Sequence, residues 1–154
     1  MSTPEIAVLR QKIHGLSARD YASALRERLP DTDIAVAKTP AEEAELLESV
    51  PIATGFSMST AEIEAAENLE LFGCVYAGVG HLDMEAFEAN GTAVTNASGV
   101  HGPNISEYVI GAILSHVRGF KQAWRQQDNN EWRSYPAREF QGSTVTVVGL
   151  GAIG

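Results

Sequence analysis

Short apolar runs and amphipathic stretches alternate along the first hundred residues. The runs are "EIAVL" (5–9), "DIAVA" (33–37), "PIATG" (51–55), "LFGCVYA" (71–77) and "TAVTN" (92–96). They are nearly continuous in apolar residues instead of alternating with polar ones, as in parallel strands covered on both faces. Helix starts stand between them. Thr39-Pro40-Ala41-Glu42 offers a capping threonine, a proline at the first helical position and a glutamate to complete a capping box. Ser59-Thr60-Ala61-Glu62 repeats the box. Leu16 and Tyr21 flank Ser17 as a hydrophobic staple would, Leu82 and Phe87 do so around Asp83, and Asn90-Gly91 supplies a helix stop. Strands alternating with helices predict an α/β domain with right-handed crossovers: a flavodoxin-like, five-stranded parallel sheet.

From Pro103 the rhythm changes. Ile105, Tyr108, Val109, Ala112, Ile113, Val117, Phe120 and Trp124 form a stripe that predicts one long helix, with Asn104 and Glu107 at its start. A polar stretch follows, "RQQDNNEWRSYPAREFQGS", and then a candidate strand, "TVTVVG" (144–149). This pattern predicts one domain over residues 1–102, and over 103–154 a connecting helix and the first strand of a second domain.

Composition narrows the function classes. The 154 residues are 44% hydrophobic and 20% charged, a globular balance. No apolar run approaches the roughly 18–20 residues that span a bilayer, and the N-terminus lacks a secretory pattern. Cytoplasm is therefore the expected compartment. A net charge of −9 disfavours nucleic acid as a partner. Only three of the eleven basic residues are lysine, a balance suited to high salt. The single cysteine, Cys74, lies in an apolar run and reads as a small buried hydrophobe. His14 and His116 read as surface or helix-face residues. No His or Cys pair has zinc spacing, so no metal site is expected.

The chain closes on "VTVVGLGAIG", where Gly149, Gly151 and Gly154 spell G-x-G-x-x-G after a β-branched run. In a dinucleotide site the first glycine permits a tight strand-to-helix turn. The second lets the backbone approach a pyrophosphate, and the third lets helix and strand pack closely. The helix N-terminus then offers free N–H groups to the anion. Alone the motif is weak, since a glycine-rich tail would match it too.

Further stretches occur in a fixed order: "LELFGCVYAGVGHLDMEAFEANGTAVTNASG" (69–99), "PNISEYVIGAILSHVRGF" (103–120), Glu131-Trp132 and "VVGLGAIG" (147–154). Together they resemble the D-isomer-specific 2-hydroxyacid dehydrogenase family. That family carries a G-V-(D or G)-x-(I or L)-D loop, a G-x-x-V-x-N strand, a helix beginning near P-N-x-x-x-E, and a glycine fingerprint. Residues 1–68 fit it only in pattern. The resemblance implies an oxidoreductase that reduces 2-oxo acids to D-2-hydroxy acids with NAD or NADP as cofactor. It implies that the backbone N–H groups of Ala77 and Gly78 hold the substrate carboxylate, with Tyr76 and His101 as candidate substrate contacts. It places Gly149, Gly151 and Gly154 at the cofactor phosphates and Val100 beside the nicotinamide, and makes His81 structural. The family's catalytic arginine, glutamate and histidine follow the fingerprint, so no catalytic residue is expected within residues 1–154. Arg118, Arg125, Arg133 and Glu107 match none of the three positions.

The chain is accordingly expected to be the N-terminal piece of a longer enzyme, inactive and unable to bind NAD(P)H by itself. Part of its sheet should lie exposed, and a homodimer through the 103–125 helix region is expected. Two rival readings share the layout. A response-regulator receiver needs acidic residues where this chain has "RQKIHG" and an aspartate where it has "TGF". A stand-alone regulatory or interaction domain without catalysis remains as the alternative.

Overall fold

A computed structural model describes residues 3–11, 13 and 15–154. His14, read from sequence as a surface residue, lies outside the described residues. The chain divides into two compact units, Met1–Ser98 and Gly99–Gly154.

In the first unit, β1 (Ile6–Val8), β2 (Ile34–Val36), β3 (Ile52–Gly55), β4 (Leu71–Cys74) and β5 (Ala93–Thr95) form one sheet in the order β2-β1-β3-β4-β5. Every pairing is parallel. The order is the flavodoxin-like one expected from the alternation of runs. Each strand is shorter than its apolar run, because ladder pairing stops before the apolar residues do.

The helices α1 (Ala18–Arg28), α2 (Pro40–Leu47), α3 (Thr60–Ala65) and α4 (Met84–Asn90) fill the crossovers. Their starts follow the capping residues. Ser17 accepts the Asp20 N–H, Ser59 and Glu62 form a complete capping box, and Asp83 accepts the Ala86 N–H. Gly91 ends α4 at φ +75°, a left-handed conformation that favours glycine. The box at Thr39 is displaced by one residue: Thr39 accepts the Glu42 N–H, but the Glu42 carboxylate takes the N–H of Lys38. This satisfies the loop leading into the helix instead of the cap.

The two sheet faces are unequally covered. On one, Leu47, Ile63 and Phe87 pack with Ala7, Ala53 and Phe72 in the larger core. The Phe72 and Phe87 rings stack with centroids 5.1 Å apart. On the other face α1 brings Ala22 against Ile6, Val8 and Ile34. The register aligns Ile34, Ile6, Ile52, Leu71 and Ala93 in one row on that face. Burial falls along it: Ile34 and Ile6 are buried, Ile52 and Leu71 half-buried, Ala93 exposed. Within this unit α1 covers only the β2–β1 half. At the β2 edge of the sheet, the Arg26 guanidinium donates to the Ile34 carbonyl at 2.6 Å, which blunts an edge strand's free acceptor.

The second unit departs from the sequence reading in three ways. The single long helix is two: α5 (Gly102–Val117) and α6 (Phe120–Asp128). Gly119 separates them at φ +67°, outside helical geometry. Asn104 does not cap α5; the helix begins earlier, at Gly102, behind His101, with no side-chain cap. Pro103, whose missing N–H costs nothing in a first turn, permits that start. Finally, residues 144–149 are not a strand. Their β-branched pattern favours an extended chain, but no neighbouring strand accepts its ladder bonds. The apolar stripe is not buried within the unit: no α5 residue is buried, and Tyr108 is 77% exposed.

Candidate functional site

The candidate site grows from the carboxyl ends of β3, β4 and β5. Parallel sheets place ligands there, because the loops that leave those ends can direct backbone groups at a common point. The loop 75–82 after β4 is fixed on both sides. Val75 N–H donates to the Gly55 carbonyl at 3.0 Å, and Ala97 N–H to the Tyr76 carbonyl at 3.0 Å. Asn96 Nδ2 donates to the Ala77 carbonyl at 2.6 Å. Two consecutive carbonyls are thus held towards the end of β5. Among the described residues, the N–H groups of Ala77 and Gly78 donate to no protein acceptor. Gly78 is exposed, with no atom within 4 Å of where a Cβ would stand. The arrangement offers adjacent donors to an anion, as a carboxylate would require.

An aromatic wall backs this loop. Phe56, just after β3, stacks on His81 at 4.3 Å and 11°, and meets the half-buried Tyr76 edge-on at 4.6 Å. His81 Nε2 lies 2.8 Å from the Phe56 carbonyl. Cys74 is buried, its Sγ 3.7 Å from the same carbonyl. These contacts tie the β3 and β4 loops together. The start of α4 adds a third tie: the Thr60 hydroxyl donates to Asp83 Oδ2 at 2.6 Å, and the Ala86 N–H to Oδ1. Thr60, then the helix N–H groups, hold the Asp83 carboxyl below its ordinary value.

Beside the loop, a depression of about 380 Å³ follows the half of the sheet left open by α1. Thr54, Gly73, Thr95 and Asn96 line it. Thr54 donates to the Gly73 carbonyl at 2.8 Å and lies 3.2 Å from the Tyr21 hydroxyl. A Cβ at Gly73 would stand 3.3 Å from Thr54 Oγ1, a tight contact that Thr54 would have to relieve.

The remaining sequence-predicted residues belong to the second unit. Val100 is 58% exposed, and His101 is half-buried immediately before α5. Gly149 takes φ +93°, and a Cβ on Gly154 would overlap the Gly149 carbonyl. The last six residues therefore close on themselves in a turn that leaves no room for a Cβ at Gly154 and holds Gly149 at a φ that favours glycine. Among the described residues, no group of three or more His, Cys, Asp or Glu side chains is placed to hold a metal. No helix there is long and apolar enough to cross a membrane.

Sequence reasoning missed Asn96, Phe56 and Thr54. The asparagine was legible as the last letter of the G-x-x-V-x-N strand, but its bond to Ala77 depends on the β4–β5 register. Phe56 and Thr54 carried no signal beyond being apolar or small residues at a strand end.

The model of the D-isomer-specific 2-hydroxyacid dehydrogenase catalytic domain matches residues 8–149. The D-3-phosphoglycerate dehydrogenase of Methanocaldococcus jannaschii is 28% identical over 138 residues, 86% of this chain and 26% of that protein. The mitochondrial formate dehydrogenase of Solanum tuberosum is 32% identical over 154 residues, 90% of this chain and 40% of that protein. A D-isomer-specific 2-hydroxyacid dehydrogenase family protein from Aeromonas salmonicida superposes with a TM-score of 0.77 at 28% identity. The match covers 99% of this chain and 48% of that one. The chain thus spans between a quarter and a half of the length of these relatives. With five parallel strands in the flavodoxin-like order and a family match over nearly all of its length, the chain belongs to the D-isomer-specific 2-hydroxyacid dehydrogenases.

Proposed function

We propose that the whole protein reduces a 2-oxo acid to the D-2-hydroxy acid, using NADH or NADPH, and that residues 1–98 supply the half that grips the substrate. The observation that carries this reading is the Ala77–Gly78 pair, whose N–H groups are left available while Asn96 and Ala97 hold the neighbouring carbonyls. A carboxylate seated there would place its α-carbon above the carboxyl ends of β4 and β5. The chemistry of hydride transfer belongs to the nicotinamide, which exchanges hydride with that carbon. This chain's residues bind and orient. Tyr76 and His101 are assigned to the substrate's side and Val100 to the nicotinamide. Gly149, Gly151 and Gly154 are assigned to the cofactor phosphates, where side chains would obstruct the approach.

No counterpart of the catalytic arginine, glutamate and histidine lies among residues 1–154, so the chain alone is assigned no turnover. Cytoplasm is the proposed compartment, and a homodimer through residues 103–125 the proposed assembly. The test is to assay the whole protein with each reduced nicotinamide against a panel of small 2-oxo acids. Consumption of NADH or NADPH with a D-hydroxy acid product is expected. Asn96→Ala should raise KM about ten-fold or more, because a slackened loop gives up a charge-assisted hydrogen bond to the carboxylate. No reduction of any 2-oxo acid, or turnover by residues 1–154 alone, would overturn the reading.

A further inference from the structure

The chain carries twenty acidic residues against eleven basic ones, yet cations gather at one place in its first unit. A depression of about 780 Å³ opens at the carboxyl ends of β1 and β2, beside the start of α1. Its lining includes Arg10, Arg19, Arg26 and Lys38. It lies on the β2 side of β1, whereas the Ala77–Gly78 loop leaves β4, two strands beyond β1 in the other direction.

Asp20 lines this depression, and Glu42 and Glu43 bind residues that line it; only Glu43 is paired with a cation, so four cations stand against three carboxylates there. Glu43 is buried and takes both the N–H of Arg10, at 2.7 Å, and its Nε, at 3.3 Å. The Glu42 carboxylate takes the Lys38 N–H at 2.9 Å. Asp20 accepts from the Ser17 hydroxyl at 2.6 Å. Arg26 is held by the neutral Ile34 carbonyl, which aims its guanidinium without cancelling its charge. Among the described residues, the Arg19 and Lys38 side chains make no hydrogen bond or ion pair. Two unengaged cations therefore share with a positioned guanidinium an open depression of the size that small ligands fill.

We propose that this depression binds a small phosphate-bearing anion, at a site separate from the substrate loop. Guanidinium forks match the paired oxygens of a phosphate, and Lys38 adds a mobile point charge. The chain's overall negative charge restricts the ligand to a small molecule, since a long polyanion would meet repulsion outside the depression.

The test titrates isotope-labelled residues 1–154 with inorganic pyrophosphate, with sodium chloride holding ionic strength constant, and follows amide and guanidinium resonances. Saturable shifts at Arg19, Asp20, Arg26 and Lys38 are expected. The Arg19→Ala/Lys38→Ala double variant, both changes lying on the surface, should bind about ten-fold or more weakly. Arg133→Ala, which removes an exposed cation of the second unit, should bind as the unaltered chain does. Linear shifts that chloride reproduces at equal ionic strength would overturn the proposal. So would full affinity in the double variant, with its fold checked by circular dichroism.

Discussion

Glu43 shows how one side chain ties the sheet to a helix. It is only 2% exposed and its carboxylate holds Arg10, whose own side chain is 42% exposed. Removing one partner of a fully buried pair costs roughly 3–5 kcal/mol, much of it the isolation of the remaining charge. Arg10 can turn to water, so Glu43→Ala should cost less, about 2–3 kcal/mol. Urea denaturation reads the difference, and an unchanged midpoint would show the pair to be decorative. Asp83 makes a different prediction because its carboxyl is held below the ordinary 3.8. A depressed acid contributes stability above that ordinary value and loses it as pH falls through the folded one. Carbon-detected NMR should find the Asp83 midpoint below that of a model peptide. Thr60→Val, which deletes the leading hydroxyl donor, should move it upward.

At the scale of elements, apolar pattern and ladder pairing separate at one point in the chain. "DIAVA" and "TVTVVG" look alike as runs, yet only the first becomes a strand, because β1 lies beside it. The second leaves Val145, Val147 and Val148 exposed. The break between α5 and α6 has its cause in Gly119, where left-handed φ meets the ring of Tyr135. A Cβ there would stand 2.9 Å from that ring. Gly119→Ala should therefore strain the turn by about 1–2 kcal/mol. It should lower the protection of the 120–128 amides in hydrogen exchange, while amides of the first unit keep theirs. Equal loss in both units would contradict a local effect.

Across the whole molecule, core and exposed apolar surface are unequally shared. Among the described residues, the buried hydrophobic ones all fall in the first unit, while Tyr108, Ile110, Phe120, Trp124 and Trp132 of the second are exposed. Large exposed apolar patches mark interaction surfaces. Sedimentation at micromolar concentration should give twice the chain mass, and a single monomeric boundary would refute the proposed dimer. The same material melted in low and molar KCl tests the acidic composition. Stabilisation by salt is expected from screened self-repulsion, and its absence would remove high salt as the explanation.

By itself, the sequence determined the order of elements in the first unit, the helix starts at Ser17, Ser59 and Asp83, the stop at Gly91, and the family. These are local facts, set by capping geometry, apolar runs and motif order, and they need no distant partner. Tertiary structure decided which apolar runs became strands, where the long helix broke, and how the Ala77–Gly78 loop is held. Each of those depends on a residue far along the chain: a neighbouring strand, the Tyr135 ring, the Asn96 amide. It also decided that Arg10, Arg19, Arg26 and Lys38 share one depression, which no spacing in the sequence reveals. Local propensity is encoded in neighbours, whereas register and convergence arise only when the sheet closes its ladder.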